Sequence, residues 1–318
     1  MTLDPDVAQL LETVRLAGRP PFESLSPAEA REAYAKTRTA SAPPPADVER
    51  VETLHIDGPH GPIPMRFYWP KDGGTASLPL LVYFHGGGWL LGDLDSHDGV
   101  CRHLANGATC AVLSVDYRLA PEHKFPAAVD DAFAATTWAA HNSTKLNIDP
   151  DQIAVGGDSA GGNLAVAVCM IARDDGAPKI RFQLLLYPAL DFSFDSQSHQ
   201  NFADGYSLTR NSLIWFRDHY LRSPNDETDF RASPLQAKSL AGLPPACVLT
   251  AEYDPLRDEG EAYAARLAQE AHVPVTFWRA AGQIHGFLPM GKLISASAPT
   301  LDALARTLKS AFFKRTNT

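Results

Sequence analysis

The sequence contains few cysteines and no pattern of metal ligands. It has four cysteines in 318 residues, and they form neither a C-x-x-C pair nor any other spacing typical of a metal site: Cys101, Cys110, Cys169 and Cys247. Such sparse, unpaired cysteines are typical of reduced thiols in a cytosolic protein. The histidines are scattered, without H-x-x-x-H spacing. We therefore expect a cytoplasmic protein that requires no metal.

The sequence also lacks basic runs and long apolar runs. Lys and Arg number 28 against 37 Asp and Glu, which gives a formal net charge of −9. Because nucleic-acid binding depends on clustered cations, this balance argues against a nucleic-acid partner. No uncharged apolar run reaches the length of a membrane span. Asp4 and Asp6 stand where a secretory signal would be basic, so no signal is expected.

The hydrophobic content of 45% is sufficient for one large core. Alternating apolar runs and amphipathic segments predict an α/β protein with a mostly parallel sheet that opens with a hairpin. Strands are predicted at 51–56, 65–69, 80–84, 111–117, 153–156, 182–187, 246–250 and 275–279. Helices are predicted at 99–106, 126–141, after Ser159, and at 208–221 and 259–269, with a final helix carrying Leu301, Leu304, Ala305, Leu308 and Phe312 on one face.

Two segments fall outside this alternation. The first, 1–48, contains an apolar helical stripe of Val7, Leu10, Leu11 and Val14, then a capping box at Ser26 and Glu29, then a Pro-rich linker. The second, 191–239, is polar and reads as an insertion between the core segments 49–190 and 240–318. We expect both to form a helical cap over the carboxyl ends of the strands, where open α/β sheets bind ligands.

Two glycine-rich strings follow predicted strands. Residues 157–161 read GDSAG and place Ser159 between small residues, as in a nucleophile elbow, although Ser159 alone could be an ordinary helix N-cap. Residues 85–89 read HGGGW and lie upstream, where glycines let backbone N–H groups approach a developing oxyanion. Together they predict acyl-transfer chemistry with Ser159 as the nucleophile.

A serine nucleophile needs a base and an acid, which here should follow it in the order acid, then histidine. Asp254 lies just beyond a predicted strand, and His285 lies in a glycine-flanked loop. Asp258, one helical turn on, is the alternative acid, and His272 the alternative base. Either aspartate could instead cap the next helix or pair with Arg257.

Other polar residues near these motifs suggest structural roles. We expect His85 to hydrogen-bond loop backbone so that the glycine N–H groups stay aligned. Asp116, Arg118 and Glu122 follow a core strand and predict buried structural ion pairs.

The motifs together resemble the hormone-sensitive-lipase-like (family IV) bacterial carboxylesterases of the α/β-hydrolase superfamily. The match rests on residues 85–89, on DYRLAPE at 116–122, on residues 157–161, on DPLRD at 254–258 and on HGF at 285–287. The resemblance implies an α/β-hydrolase fold, the GDSAG subgroup and a triad of Ser159, Asp254 and His285. It further implies an oxyanion hole from the N–H groups of Gly87, Gly88 and Ala160, with no cofactor.

The implied activity is hydrolysis of short- to medium-chain carboxylic esters through an acyl-enzyme, with a small-molecule ester as the partner. The same residues would also serve a deacetylase, lactonase or amidase acting on a specific small molecule. A third alternative is a non-catalytic small-molecule receptor on the same fold. A homodimer is a further expectation from the resemblance alone.

Overall fold

The computed structural model describes residues 2–74 and 76–313, and these build one eight-stranded sheet. Its strands in chain order are β1 (Arg50–Gly58), β2 (Gly61–Trp69), β3 (Leu78–Phe84), β4 (Ala111–Val115), β5 (Ile148–Asp158), β6 (Phe182–Leu186), β7 (Ala246–Tyr253) and β8 (Val275–Ile284). They are ordered β1-β2-β4-β3-β5-β6-β7-β8. Only β2 runs antiparallel to its neighbours, β1 and β4. The predicted opening hairpin and mostly parallel sheet are confirmed.

Ten α-helices occur within the described residues. They are α1 (Pro5–Ala17), α2 (Pro27–Ser41), α3 (Asp98–Ala108), α4 (Ala127–His141), α5 (Ser143–Leu146), α6 (Ala160–Asp175), α7 (Gln197–Asn201), α8 (Arg210–Tyr220), α9 (Arg257–Gln269) and α10 (Ser297–Phe313). Nowhere in 2–74 and 76–313 is a helix long and apolar enough to cross a membrane.

The core lies on both faces of the sheet. All seven residues of β3 are buried, as expected for a parallel strand covered by helices on each side. On one face the apolar residues of α3 and α10 pack together, and on the other those of α4, α6 and α9. The four cysteines are free and buried in these layers. The central strands are therefore rigidly held, and their carboxyl ends are fixed in space.

The structure differs from the predicted strand ends at β8. The sequence predicts a strand that ends at Arg279, yet β8 continues to Ile284 after a bulge in its pairing with β7. Pairing of Tyr253 with Ile284 brings the ends of both strands level. Consequently Asp254 and His285 each follow the last residue of adjacent strands.

The two N-terminal helices occupy different places. The capping box of Ser26 and Glu29 opens α2 as predicted. Helix α1 packs beside the end of β8, where the N–H of Asp4 donates to the carbonyl of Gly282 at 3.1 Å. Val7 is fully buried, but Val14 is 52% exposed, so the predicted stripe is covered only in part.

Candidate active site

Ser159 lies in the sharp turn between β5 and α6. Its φ of 55° and ψ of −119° are unfavourable for a residue with a side chain. Its N–H donates to the carbonyl of Leu186 at 2.9 Å, and its carbonyl accepts from the N–H of Asn163 at 3.1 Å. A Cβ at Gly161 would collide with the carbonyl oxygen of Phe84, so only glycine allows this approach. The turn therefore holds Ser159 in a strained conformation at the strand ends.

The three residues predicted as a triad come together. Ser159 Oγ lies 2.9 Å from His285 Nε2, and His285 Nδ1 lies 2.7 Å from Asp254 Oδ2. The other oxygen of Asp254 accepts from the N–H of Leu256 at 2.8 Å, and Asp254 is fully buried. The carboxylate can thus hold the ring so that Nε2 faces the serine hydroxyl.

Tyr187 also contacts His285, although sequence reasoning did not single it out. It follows β6 with a φ of 37°, and its ring meets the imidazole edge-on at 4.9 Å. The tyrosine is 1% exposed and also packs near Phe287. Nothing distinguishes a tyrosine at the end of an apolar strand in sequence, so only the fold reveals this support for the imidazole.

The alternative acid and base lie elsewhere. Asp258 accepts from the N–H of Ser198 at 2.8 Å and pairs with Arg257 at 2.8 Å, so it joins α7 to α9. His272 is exposed after α9. Neither contacts the serine or the imidazole among the hydrogen bonds of the described residues.

The loop after β3 faces Ser159 with unused donors. Gly87 and Gly88 have φ values of 126° and 61°, conformations that favour glycine. Both line the same pocket as Ser159. Within 2–74 and 76–313, no protein acceptor takes a hydrogen bond from the N–H groups of Gly87, Gly88 or Ala160. These three donors are therefore free for a ligand oxygen.

Asp158 ties this loop to the serine turn. Its Oδ1 accepts from the Tyr83 hydroxyl at 2.8 Å and from the Gly86 N–H at 3.0 Å, while Oδ2 lies 3.2 Å from His97 Nε2. Burial alone would raise the pKa of Asp158, but attraction to His97 and the hydrogen bonds from His97 and Tyr83 hold that pKa below its ordinary value. The buried carboxylate is therefore ionised. Sequence analysis missed His97, which belongs to no motif.

His85 makes the backbone contact expected of it. Its Nδ1 lies 2.9 Å from the carbonyl oxygen of Gly86, and its ring stacks on Tyr117 at 4.4 Å. Burial and the neighbouring His97 lower the pKa of His85 to about 4, so the ring is neutral at pH 7. A neutral ring packed in this way stiffens the glycine loop.

The expectation of buried structural ion pairs at Asp116, Arg118 and Glu122 is confirmed at Arg118 alone. Arg118 pairs with the buried Asp131 at 2.8 Å, as expected for one member. Glu122 instead pairs with Arg31 of α2 at 2.6 Å, and its side chain is 55% exposed. Burial and the nearby Asp93 raise the pKa of Asp116 to about 6.

A pocket with a volume of about 100 Å³ opens above Ser159. Its walls are mostly apolar and come from three parts of the chain. The N-terminal segment contributes Phe22, Tyr34 and Arg38; the segment 191–239 contributes Phe192, Phe194, Leu208, Leu213 and Phe216; the sheet edge contributes Gly87, Gly88, Trp89 and His285. No cluster of three His, Cys, Asp or Glu side chains in the described part of the chain could hold a metal.

Comparison with known proteins reveals similarity along nearly the whole chain. Residues 81–289 match the family described as alpha/beta hydrolase fold. The chain is 44% identical over 315 residues to the carboxylic ester hydrolase LipN of Mycobacterium tuberculosis, covering 97% of this chain and 83% of that protein. It is 40% identical over 289 residues to an arylesterase of Saccharolobus solfataricus, covering 91% and 93%.

The fold is likewise similar to solved structures. An ester-hydrolase from the metagenome of Lake Arreo, complexed with a derivative of bipyridine phosphonate, superimposes with a TM-score of 0.96 at 42% identity. The match covers 98% of this chain and 100% of that one.

Replacing Asp158 by asparagine should lower the free energy of unfolding by about 1–3 kcal/mol at pH 7, because an amide is a weaker acceptor than a buried carboxylate. Since the folded-state pKa lies below the ordinary value, this stabilisation is present above about pH 4 and is lost as the pH falls through the folded pKa. Urea unfolding should therefore show a constant difference between wild type and variant at pH 5–7 and a narrowing difference below about pH 4.

The matched control is Asp151→Asn, because Asp151 is exposed and pairs with Lys179 only at 3.4 Å. The free energy of unfolding should fall much less in this variant than in Asp158→Asn at every pH. A difference for Asp158→Asn that widens in acid would contradict the ionised, stabilising role of this carboxylate.

Proposed function

The chain belongs to the hormone-sensitive-lipase-like branch of the α/β-hydrolase family, and on that premise we propose that it is a serine carboxylesterase that uses Ser159, His285 and Asp254. The observation that carries the proposal is the continuous hydrogen-bond chain from Ser159 Oγ through His285 to the buried Asp254. The GDSAG string at 157–161 supports assignment to the subgroup of that name.

In the first half of the reaction, Ser159 Oγ attacks the ester carbonyl carbon while His285 Nε2 accepts its proton. The carbonyl oxygen becomes an oxyanion, to which the free N–H groups of Gly87, Gly88 and Ala160 donate. Collapse breaks the bond to the alcohol oxygen, which takes the proton from His285. The products are an acyl-Ser159 ester and a free alcohol.

In the second half, water attacks the acyl carbon and gives a proton to His285 Nε2. The bond to Ser159 Oγ breaks, the carboxylic acid leaves, and the proton returns to the serine. Throughout, the buried carboxylate of Asp254 accepts from Nδ1–H, which maintains the useful tautomer and stabilises the transient imidazolium. No step requires a metal or an organic cofactor.

We extend the proposal to short and medium acyl chains. Because His285 must reach the alcohol oxygen, the acyl chain extends on the opposite side, beside Gly88. A Cβ on Gly88 would collide with the ring of Phe216, so this ring presses against the oxyanion loop. Phe192 and Trp89 close the same wall, with ring centroids 5.2 Å apart. Such rigid aromatic walls favour small acyl groups.

We also propose that segments 1–48 and 191–239 act as the cap of this site. The two segments meet where Glu23 accepts from the Ser212 hydroxyl at 2.8 Å. Phe22 and Tyr34 on one side, and Phe216 on the other, reach into the pocket. Of the N-terminal helices, α2 supports this role, whereas the lining of the pocket draws no described residue from α1. The buried free cysteines support a reducing, cytoplasmic location.

Ser159→Ala should lower kcat for p-nitrophenyl acetate hydrolysis by several powers of ten, because the acyl-enzyme cannot form. Wild type should gain one phosphonyl group at Ser159 when treated with an organophosphonate, and mass spectrometry should find none on the variant. Circular dichroism should be unchanged, since only one hydroxyl is lost. Near-normal turnover by the folded variant, or labelling at another serine, would contradict the assignment.

Asp254→Asn should lower kcat by roughly four orders of magnitude, because the amide favours the wrong tautomer of His285. Asp258→Asn is the matched control: it removes a carboxylate four residues away that joins α7 to α9. Its effect should be a lower melting temperature, with kcat within about tenfold of wild type. Steady-state or stopped-flow hydrolysis assays measure kcat for the two variants, and thermal unfolding measures their melting temperatures. A larger loss of kcat in Asp258→Asn than in Asp254→Asn would move the triad acid to Asp258.

Phe216→Ala should raise kcat/KM for p-nitrophenyl octanoate relative to the acetate, because it removes an aromatic ring from the acyl wall. The adjacent Trp215 does not line the pocket, so Trp215→Ala should leave that ratio near its wild-type value. If Phe216→Ala leaves the chain-length profile unchanged, this wall does not limit the acyl group.

A further inference from the structure

Arg38 on α2 places a cation in the wall of the pocket above Ser159. A terminal nitrogen donates a long hydrogen bond to the carbonyl oxygen of Gly286 at 3.4 Å, and the hydroxyl of Tyr34 is a second hydrogen-bond partner. Its Nε is buried and donates to no acceptor in the described part of the chain. Arg38 as a whole is half-buried, but a buried N–H donor normally finds an acceptor, so its Nε–H is an unused donor.

Another arginine on the same helix shows the ordinary arrangement. Arg31 makes two hydrogen bonds to Glu122, at 2.6 and 2.8 Å, and donates to the carbonyls of Leu90 and Ala120. Arg38 instead lies over the ring of Tyr34, with its central carbon 4.7 Å from the ring centroid. Tyr34 is itself buried, and its ring and hydroxyl hold the guanidinium in place while the Nε–H stays unused.

The two acidic side chains of the pocket wall are already bound elsewhere. Asp158 accepts from Tyr83, Gly86 and His97. Asp191 accepts from Gln236 at 3.0 Å and from Ser193. Asp158 attracts Arg38 through space, but neither acid forms an ion pair or hydrogen bond with it within residues 2–74 and 76–313. The charge of Arg38 is therefore available to a ligand.

The position of Arg38 beside the loop of His285 indicates which part of the substrate it contacts. A terminal nitrogen of Arg38 would lie 3.4 Å from a Cβ built on Gly286, and Gly286 directly follows His285. Because His285 must give its proton to the leaving oxygen, the alcohol part of the ester lies on this side of the pocket. The acyl chain lies across from it, beside Phe216.

We propose that Arg38 binds a carboxylate on the alcohol part of the substrate, so that the preferred substrates are acyl esters of hydroxy acids. This inference rests on the proposed esterase function and specifies its substrate class. The planar guanidinium fits a carboxylate in a two-point contact. A phosphate dianion is less suited, because a single cation among apolar walls would leave one of its charges uncompensated. Water converts such an ester to a carboxylic acid and the free hydroxy acid.

The test compares two esters that differ only in charge, O-acetyl-lactate and O-acetyl-lactamide, with wild-type protein. The measured quantity is the ratio of their kcat/KM values, which cancels any general change in activity. We expect wild type to favour the carboxylate roughly tenfold or more, as for a charged hydrogen-bonded contact. Lactate should also inhibit p-nitrophenyl acetate hydrolysis competitively and more strongly than lactamide or inorganic phosphate does.

Two variants of α2 complete the test. Arg38→Gln should bring the ratio close to one, and Arg38→Lys should restore part of the preference. Arg31→Gln is the matched control, because Arg31 lies on the same helix and outside the pocket wall; its ratio should equal that of wild type.

The outcomes test the carboxylate site and the esterase function separately. A wild-type ratio near one, or a ratio that Arg38→Gln leaves unchanged, would overturn the carboxylate site. An equal loss on both esters in Arg38→Gln would show that Arg38 only supports the Gly286 loop, which also overturns it. Stronger inhibition by phosphate than by lactate would assign the cation to a phosphate group instead. Failure of wild type to hydrolyse p-nitrophenyl acetate at all would refute the esterase function itself.

Discussion

The strained backbone of Ser159 is the constraint on which the site depends. A φ of 55° on a serine costs on the order of 1–3 kcal/mol, and it persists only because the surrounding structure allows no alternative. The carbonyl of Leu186 binds the serine N–H, while Phe84 approaches so closely that position 161 must be glycine. Both contacts come from strands buried on each face. The packing of the sheet therefore supplies the energy that keeps the serine exposed.

Two buried carboxylates organise the groups around this serine. Asp254 follows β7 and lies within hydrogen-bond distance of His285, while Asp158 is the last residue of β5 and holds the loop that carries Gly87 and Gly88. Each carboxylate is held by at least two hydrogen bonds. In the proposed mechanism, these two carboxylates thus position the base and the oxyanion donors. Proton transfer and oxyanion binding then need little rearrangement.

In the proposed enzyme, the cap adds selectivity to a site that the sheet assembles. Phe216 presses on the loop of Gly87 and Gly88, on the proposed acyl side, whereas Arg38 lies next to Gly286 on the side of His285. An apolar wall and a cation thus face the two halves of an ester. Because both side chains come from helices outside the sheet, substrate preference can change while Ser159 and its partners remain in place.

The sequence by itself determined the fold class and nearly all strands and helices, and its motifs indicated the residues proposed to act on the ester. It could do so because turns that require glycine and strands buried on both faces leave local signatures at 85–89 and 157–161. It did not reveal His97, Tyr187 or Arg38, which belong to no motif, and it wrongly grouped Glu122 with buried residues. It also left Asp254 and Asp258 as alternatives. Only the tertiary structure decided these points, because they depend on how β7 and β8 end level and which helix covers the pocket, and such contacts join residues far apart in the chain.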